Sequence, residues 1–225
     1  MTHQEFFDVP RPGLRERNKA KRRDAILDSA VELLGTAPLA EVSIERIAAR
    51  AEVSAATVYN LIGSKEQLLL ACVDRVVEQL VDALVQIDPA DDPIAVAVAV
   101  VESSSEAFIS DGAAFRQIVG ALRDSTGSNL AVDPAQLQIA AMRAAQHRGL
   151  LRDDVDPAAA GRQVYLSYNG ALVAWAGRRL TDDGFRAAAR HGLWTALAAF
   201  AADSHRSEFL ERLRTTGREL IAAGT

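Results

Sequence analysis

The stretch SIERIAARAEVSAATVYNLIGSK, residues 43–65, decides the reading of the whole chain. Its first part places Ile44, Ile47 and Ala48 on one side at helical spacing, with Glu45, Arg46 and Arg50 on the other. Ser43 can cap that helix, because a side-chain oxygen accepts from an amide the first turn leaves unpaired. Val53 is the apolar plug of a tight turn, and Ser54 is a second N-cap. The helix that follows, over 55–61, buries Val58 and either Leu61 or Ile62 against the first. Its other side shows Ala55, Ala56, Thr57, Tyr59 and Asn60. Two short helices joined in this way form a helix-turn-helix, and the second has the size that enters a DNA major groove.

The same residues carry a family resemblance. Ser43-x-x-x-Ile47-Ala48, Ala51-x-Val53-Ser54-x-x-Thr57-x-Tyr59 and Ser64-Lys65-Glu66-x-Leu68-Leu69 resemble the DNA-binding segment of the Tet repressor (TetR) family of transcription regulators. The motif resemblance covers about the first seventy residues; beyond them only length and helical layout agree. It implies a homodimer joined through the last two core helices, a DNA operator, a small-molecule effector in the body, and repression as the usual outcome. Thr57, Tyr59 and Lys65 match family positions that contact the DNA backbone. There are three departures. Glu52 stands where Gly is common, at a turn position favouring positive φ, so local strain is expected. Leu61 offers no hydrogen bond where His or Tyr is common, and Ile62 replaces an aromatic while keeping its apolar role.

Charge is divided unevenly along the 225 residues. The net charge is −5, yet residues 11–65 carry ten Lys/Arg against seven Asp/Glu, a balance of +3, and the remainder a balance of −8. Residues 11–23 alone hold Arg11, Arg15, Arg17, Lys19, Lys21, Arg22 and Arg23 with one acid, Glu16. A basic end on an acidic body suits a DNA reader with a separate regulatory part. By itself such a tail reads equally as a solvated arm. No apolar run approaches the length that spans a bilayer, so no membrane partner is expected. The N-terminus lacks the apolar segment of a secretory signal, and the lone Cys72 forms no internal disulfide. A cytoplasmic, nucleoid-associated protein is the expectation.

The fold expected is all-α, of about ten helices. A basic arm over 1–17 precedes a three-helix DNA-binding domain over 18–64, and a helical effector-binding and dimerisation domain follows over 65–225. Helix 1 is expected over 18–34, with Ile26, Leu27, Ala30, Val31 and Leu34 inward. A long helix over 65–87, capped by Ser64, links head to body. An Asp/Pro interruption over 88–93 leads to a helix from Pro93 to 110 with Asp92 as cap. Further helices are expected over 113–123, 134–147, 157–180, 185–202 and 205–222, with a polar loop over 124–133.

Two late helices carry small residues at helical spacing: Ser167, Gly170, Ala174 and Gly177 on one, Ala188, Gly192, Thr195 and Ala199 on the other. Such faces pack closely, and the larger side chains flanking them exceed what one monomer easily hides. They read as half of a four-helix dimer interface. Ordinary packing within one chain remains the other reading.

For DNA, the start of the second short helix offers methyls (Ala55, Ala56) for thymine and donors (Thr57, Tyr59, Asn60) for phosphates. Asn60 can instead reach a base edge. Ser43 and Ser54 belong to the same surface, and Lys65 lies beside free amides as a phosphate clamp. Against this, Thr57 can bond within its own helix and Tyr59 can pack on helix 1. For an effector, Phe108, Phe115, Met142, Tyr165, Tyr168 and Asn169 combine apolar bulk with a few polar handles. Each also reads as plain core.

Enzyme readings find little support. His3, His147, His191 and His205 lack metal-ligand spacing with one another or with Cys72, and there is no Gly-rich phosphate loop or nucleophile elbow. The acids at 153, 154 and 156 read as helix-start chemistry. No catalytic residue, cofactor or metal is expected. Two alternatives stay open beside the regulator: a helical small-molecule-binding protein, and a nucleoid protein that binds DNA without sequence preference.

Overall fold

In a computed structural model describing residues 13–84, 92–123, 130–131 and 133–223, ten α-helices follow in order. The head is α1 (Leu14–Thr36), α2 (Ile44–Arg50) and α3 (Ala55–Leu61); α4 (Lys65–Leu84) leaves it for the body. The body comprises α5 (Pro93–Ser110), α6 (Gly112–Leu122), α7 (Ala135–His147), α8 (Pro157–Ala176), α9 (Asp182–Phe200) and α10 (Asp203–Ala222). Among the described residues the one departure from helix and loop pairing is an isolated antiparallel bridge, Leu151–Ala201, which ties the α7–α8 connection to the α9–α10 turn. Residues 1–12 of the expected arm, the continuation of α4 to 87, the interruption over 88–91 and most of the loop over 124–133 lie outside the described residues.

Local chemistry sets the head. Ser43 Oγ accepts from Arg46 N at 3.3 Å and Ser54 Oγ from Thr57 N at 3.1 Å, so both short helices begin at their serines. Ile26, Leu27, Ala30 and Leu34 of α1 pack with Ile47, Ala48 and Val58, all buried, while Val53 is half-buried against them. Ser64 and Gln67 cap each other at the start of α4: Gln67 N donates to Ser64 Oγ, and Ser64 N to Gln67 Oε1 at 2.8 Å.

Glu52, at the position read as strained, has φ 54°. A left-handed non-glycine residue costs about 1–2 kcal/mol, partly offset because glycine loses about 0.5–1 kcal/mol more chain entropy on folding. Glu52→Gly should therefore stabilise the protein modestly, raising the calorimetric midpoint by about 1–4 °C. An unchanged or lower midpoint would mean that the turn carries no net strain.

Helix α1 starts at Leu14, not at 18, so residues 14–17 belong to a helix rather than to an arm. Arg17 N donates to Gly13 O at 3.0 Å, and the intervening residues are good helix formers with no breaker. Apolar periodicity, on which the expectation rested, begins only at Ile26. Helix α8 stops at Ala176, short of 180, because Gly177 and Arg178 (φ 58°) turn the chain and Thr181 caps α9 through Gly184 N. That cap also starts α9 at Asp182, before the expected 185, and α10 begins at Asp203 rather than 205.

Helix α5 corrects the run-length reading of the chain: it is long and apolar enough to cross a membrane by length and composition, with Glu102 and Glu106 as its interruptions. In the fold it packs against α4, α6, α7 and α9, burying Val96, Val100, Val101 and Phe108. It is a central helix of the body.

The head is held to the body by α4 and α6. Arg75 of α4 pairs with Asp28 of α1 at 2.6 Å. From α6, Gln117 Nε2 donates to Leu34 O at 2.6 Å and to Ala37 O at 3.1 Å, and its Oε1 accepts from Leu39 N at 2.7 Å. On the neighbouring position, Arg116 donates to Trp175 O and to Asp182 Oδ1 at 2.7 Å, with its guanidinium over the Trp175 ring. Trp175 Nε1 also donates to Asp182 at 2.7 Å. That bond, with the Arg116 contact, holds the Asp182 carboxyl below its ordinary range. One turn of α6 thus grips the end of α1 on one side and the α8–α9 corner on the other.

Candidate nucleic-acid interface and effector cavity

The exposed side of α3 carries Ala56, Tyr59 and Asn60, with Ser54 exposed at its cap; Ser43, Ala55 and Thr57 are half-buried. Tyr59 is 53% exposed, which leaves about half of it open to solvent. Thr57 Oγ1 lies 2.8 Å from Ser54 Oγ and shares a proton with the cap rather than with the carbonyls of its own helix. Lys65 is half-buried, and its Nζ donates to Leu39 O at 2.7 Å. It braces the α1–α2 connection, with two ammonium protons remaining for an anion.

Beside α3 the structure places a cationic row that the sequence reading had divided between arm and helix. Arg15, Asn18, Lys19 and Arg22 of α1 line a cleft together with Thr57 and Asn60 of α3. All four α1 residues are exposed. Among the described residues none of the three cations has an acidic partner, whereas Arg23, one position on, lies 4.0 Å from Glu78 of α4. Spacing of 15, 19 and 22 puts them on one face once α1 is known to begin at Leu14. Phosphates would neutralise such a row at little cost, because it stays hydrated and unpaired in the free protein.

The body encloses a cavity of about 100 Å³ between α4, α5, α7 and α8. Four of the six expected effector residues reach it: Phe108, Tyr165, Tyr168 and Asn169. Phe115 and Met142 do not line it. Phe115 backs Phe108 edge-on at 5.1 Å and Met142 is fully buried in the core. Residue type predicts burial for both, but not on which side of the wall they fall. The lining missed from sequence includes the α4 side, Val73, Val76, Val77 and Leu80, and two polar groups, Ser104 and Gln138. Burial pushes the Tyr168 phenol well above its ordinary range and the Tyr165 phenol upward as well, so both remain neutral. Cys72 is buried nearby on α4 with its thiol pushed up to about 11, an unreactive protonated group.

The small residues of α8 and α9 divide in two. Ser167 and Gly192 meet within the chain, since a Cβ on Gly192 would lie 2.2 Å from Ser167 Oγ. Gly170, Gly177, Thr195 and Ala199 are exposed, and Ala174 and Ala188 are half-buried. Leu166, one turn before Gly170, is an apolar side chain 55% exposed. Among the described residues no group of three or more His, Cys, Asp and Glu side chains is arranged to hold a metal.

Residues 26–72 match the bacterial regulatory proteins of the tetR family. No curated protein matches the chain. Solved structures share the fold over most of its length. SmeT, the repressor of the Stenotrophomonas maltophilia multidrug efflux pump SmeDEF, is 24% identical with a TM-score of 0.59, over 80% of this chain and 91% of that one. A complex of SmeT with triclosan superposes with a TM-score of 0.58 at 23% identity, over 81% and 93%. NalD, the secondary repressor of the MexAB-OprM pump in Pseudomonas aeruginosa, is 22% identical with a TM-score of 0.55, over 83% and 98%.

Proposed function

We propose that this chain, a tetR-family regulator by its head and its fold, is a cytoplasmic repressor that binds a palindromic operator as a homodimer and is released by a small, largely apolar effector. The observation that carries the reading is the row Arg15, Lys19 and Arg22, unpaired among the described residues, beside the exposed face of α3 in a head of that family. The likeness in fold to SmeT and NalD, each a pump repressor, and to SmeT with triclosan bound supports repression and a small-molecule ligand. Ser43, Ser54, Ala55, Ala56, Thr57, Tyr59, Asn60 and Lys65 are the residues proposed to meet DNA, with Arg15, Lys19 and Arg22 added on its phosphates.

The homodimer is proposed to form through the outward faces of α8 and α9, where exposed Leu166, Gly170, Gly177, Thr195 and Ala199 allow helices of a second copy to approach. Two heads would then meet successive major grooves about 34–36 Å apart or a multiple of that.

Coupling between cavity and head follows from α4 and α6. Helix α4 lines the cavity with Val73, Val76, Val77 and Leu80 and holds α1 through Arg75. Helix α6 holds the end of α1 through Gln117. A ligand that fits the cavity better in one setting of these helices shifts the spacing of the two heads by its differential affinity. Fluorescence anisotropy at about 0.15 M salt tests the reading against a nucleoid protein: the regulator prefers its site over a scrambled duplex by at least about 10³-fold. Equal affinity for both would reject it.

A further inference from the structure

We propose that the cavity is built for a small, neutral, hydroxylated compound of about one ring, a phenol in chemical class. This rests on reading the body as effector-binding and goes on to name the chemistry of the ligand. Two polar groups in the wall carry the inference. Gln138 is 3% exposed, and its Nε2 donates to Ala97 O at 3.0 Å. That bond fixes the amide and leaves Oε1 buried without a partner. The Tyr168 hydroxyl is likewise buried without a hydrogen bond of good geometry. The serine hydroxyls near it, Ser104 and Ser105, donate to carbonyls of their own helix, so neither proton is left for the Tyr168 oxygen, although their own oxygens can still accept from it.

A buried acceptor without a donor is costly, so each such group implies a complement. Gln138 Oε1 requires a donor and Tyr168 Oη can supply one. A hydroxyl serves both needs, since it donates and accepts. A ketone or ether has no proton for Gln138. A carboxylate or an ammonium group would enter a wall in which no described side chain carries a charge, leaving its ionic form unpaired. The rest of the wall is mostly Val, Leu and aromatic, with Ser104, Pro134 and Asn169 among them, and it includes Phe108 braced by Phe115, which suits a ring. The cavity is about 100 Å³, smaller than the roughly 150 Å³ of one that accepts benzene, so the ligand is no larger than one ring and the side chains around it must shift outward to admit it.

The test is calorimetric titration of the full chain, without DNA, by phenol, anisole and benzoate. Phenol should bind about tenfold or more tightly than anisole, its methyl ether, because the ether leaves Gln138 unpaired. Benzoate should give no heat of binding. Gln138→Leu should bring phenol and anisole within about threefold of each other, and Tyr168→Phe should weaken phenol while preserving the fold. Thermal melts of both variants keep folding apart from binding, and the conservative Tyr168→Phe carries the test if Gln138→Leu unfolds. Anisole equal to phenol, benzoate binding better than either, or no binding of phenol would overturn the assignment. Phenol bound with the expected preference but without effect on operator affinity would uphold the cavity chemistry and reject its role as effector site.

Discussion

Gly161→Ala should lower the thermal midpoint by about 4–12 °C, the consequence of about 2–3 kcal/mol at about 2–4 °C per kcal/mol for a chain of this size. Gly161 lies where α8 crosses α7. A Cβ there would sit 2.5 Å from Ile139 N, 2.6 Å from Ile139 Cα and 2.8 Å from Gln138 C. These are backbone atoms, which cannot rotate aside as a side chain can, so the two helices must separate. Separation unpacks buried Ile139, Ala160 and Val164 and displaces Gln138, which sits at the crossing. The control is Gly120→Ala on α6, where nothing lies within 4 Å. Alanine there should gain about 0.5–1 kcal/mol from helix propensity alone. Calorimetric melts of the two variants should move in opposite directions; a Gly161→Ala midpoint at or above that of the parent would show that the crossing is looser than the geometry implies.

The second large effect is electrostatic. Replacing Arg15, Lys19 and Arg22 together by alanine should weaken DNA binding by about two to three orders of magnitude at about 0.1 M salt. It should also flatten the log–log salt slope by about 2.7, or 0.9 for each phosphate no longer neutralised. Sequence preference should survive, because phosphate contacts position a protein without reading bases. All three side chains are exposed, so the melting midpoint should hardly move and a loss of binding cannot be ascribed to unfolding. Anisotropy titrations over a range of salt measure affinity and slope together. An unchanged slope would remove the row from the interface and leave α3 to bind alone.

What the sequence made legible was local. Ser43 and Ser54 fix the starts of α2 and α3 through hydrogen bonds three residues away, so both short helices could be bounded without knowing the rest of the fold. The strained turn at Glu52 followed from one residue standing where glycine is common, and its φ of 54° agrees. Asp92 and Pro93, and Asp156 and Pro157, set the starts of α5 and α8 in the same way.

What was not legible depended on distant partners. Leu14 and the charged residues 15–17 continue α1 without any apolar period to mark it, which hid the cationic row from an argument based on burial. Lys65 reaches Leu39 O across 26 positions, and Gln117 reaches Leu34 O across 83; no spacing rule announces either bond. The cavity is harder still. Phe115 and Met142 look as suitable as Phe108, but whether a side chain faces a gap or a neighbour depends on how α4, α5, α7 and α8 splay. Gln138 gave no signal at all, since one glutamine on a helix is ordinary until its amide is found half-satisfied in the interior.

The central claim is that the turn at Val53 presents α3 to a major groove, in pairs related by a twofold axis. Selection of bound duplexes from a random pool, with the stoichiometry of the enriched complex measured by native mass spectrometry, tests it most directly. The account predicts enrichment of an inverted repeat and an even number of chains on each duplex. A pool that stays random, or a single chain bound to each duplex, would contradict it.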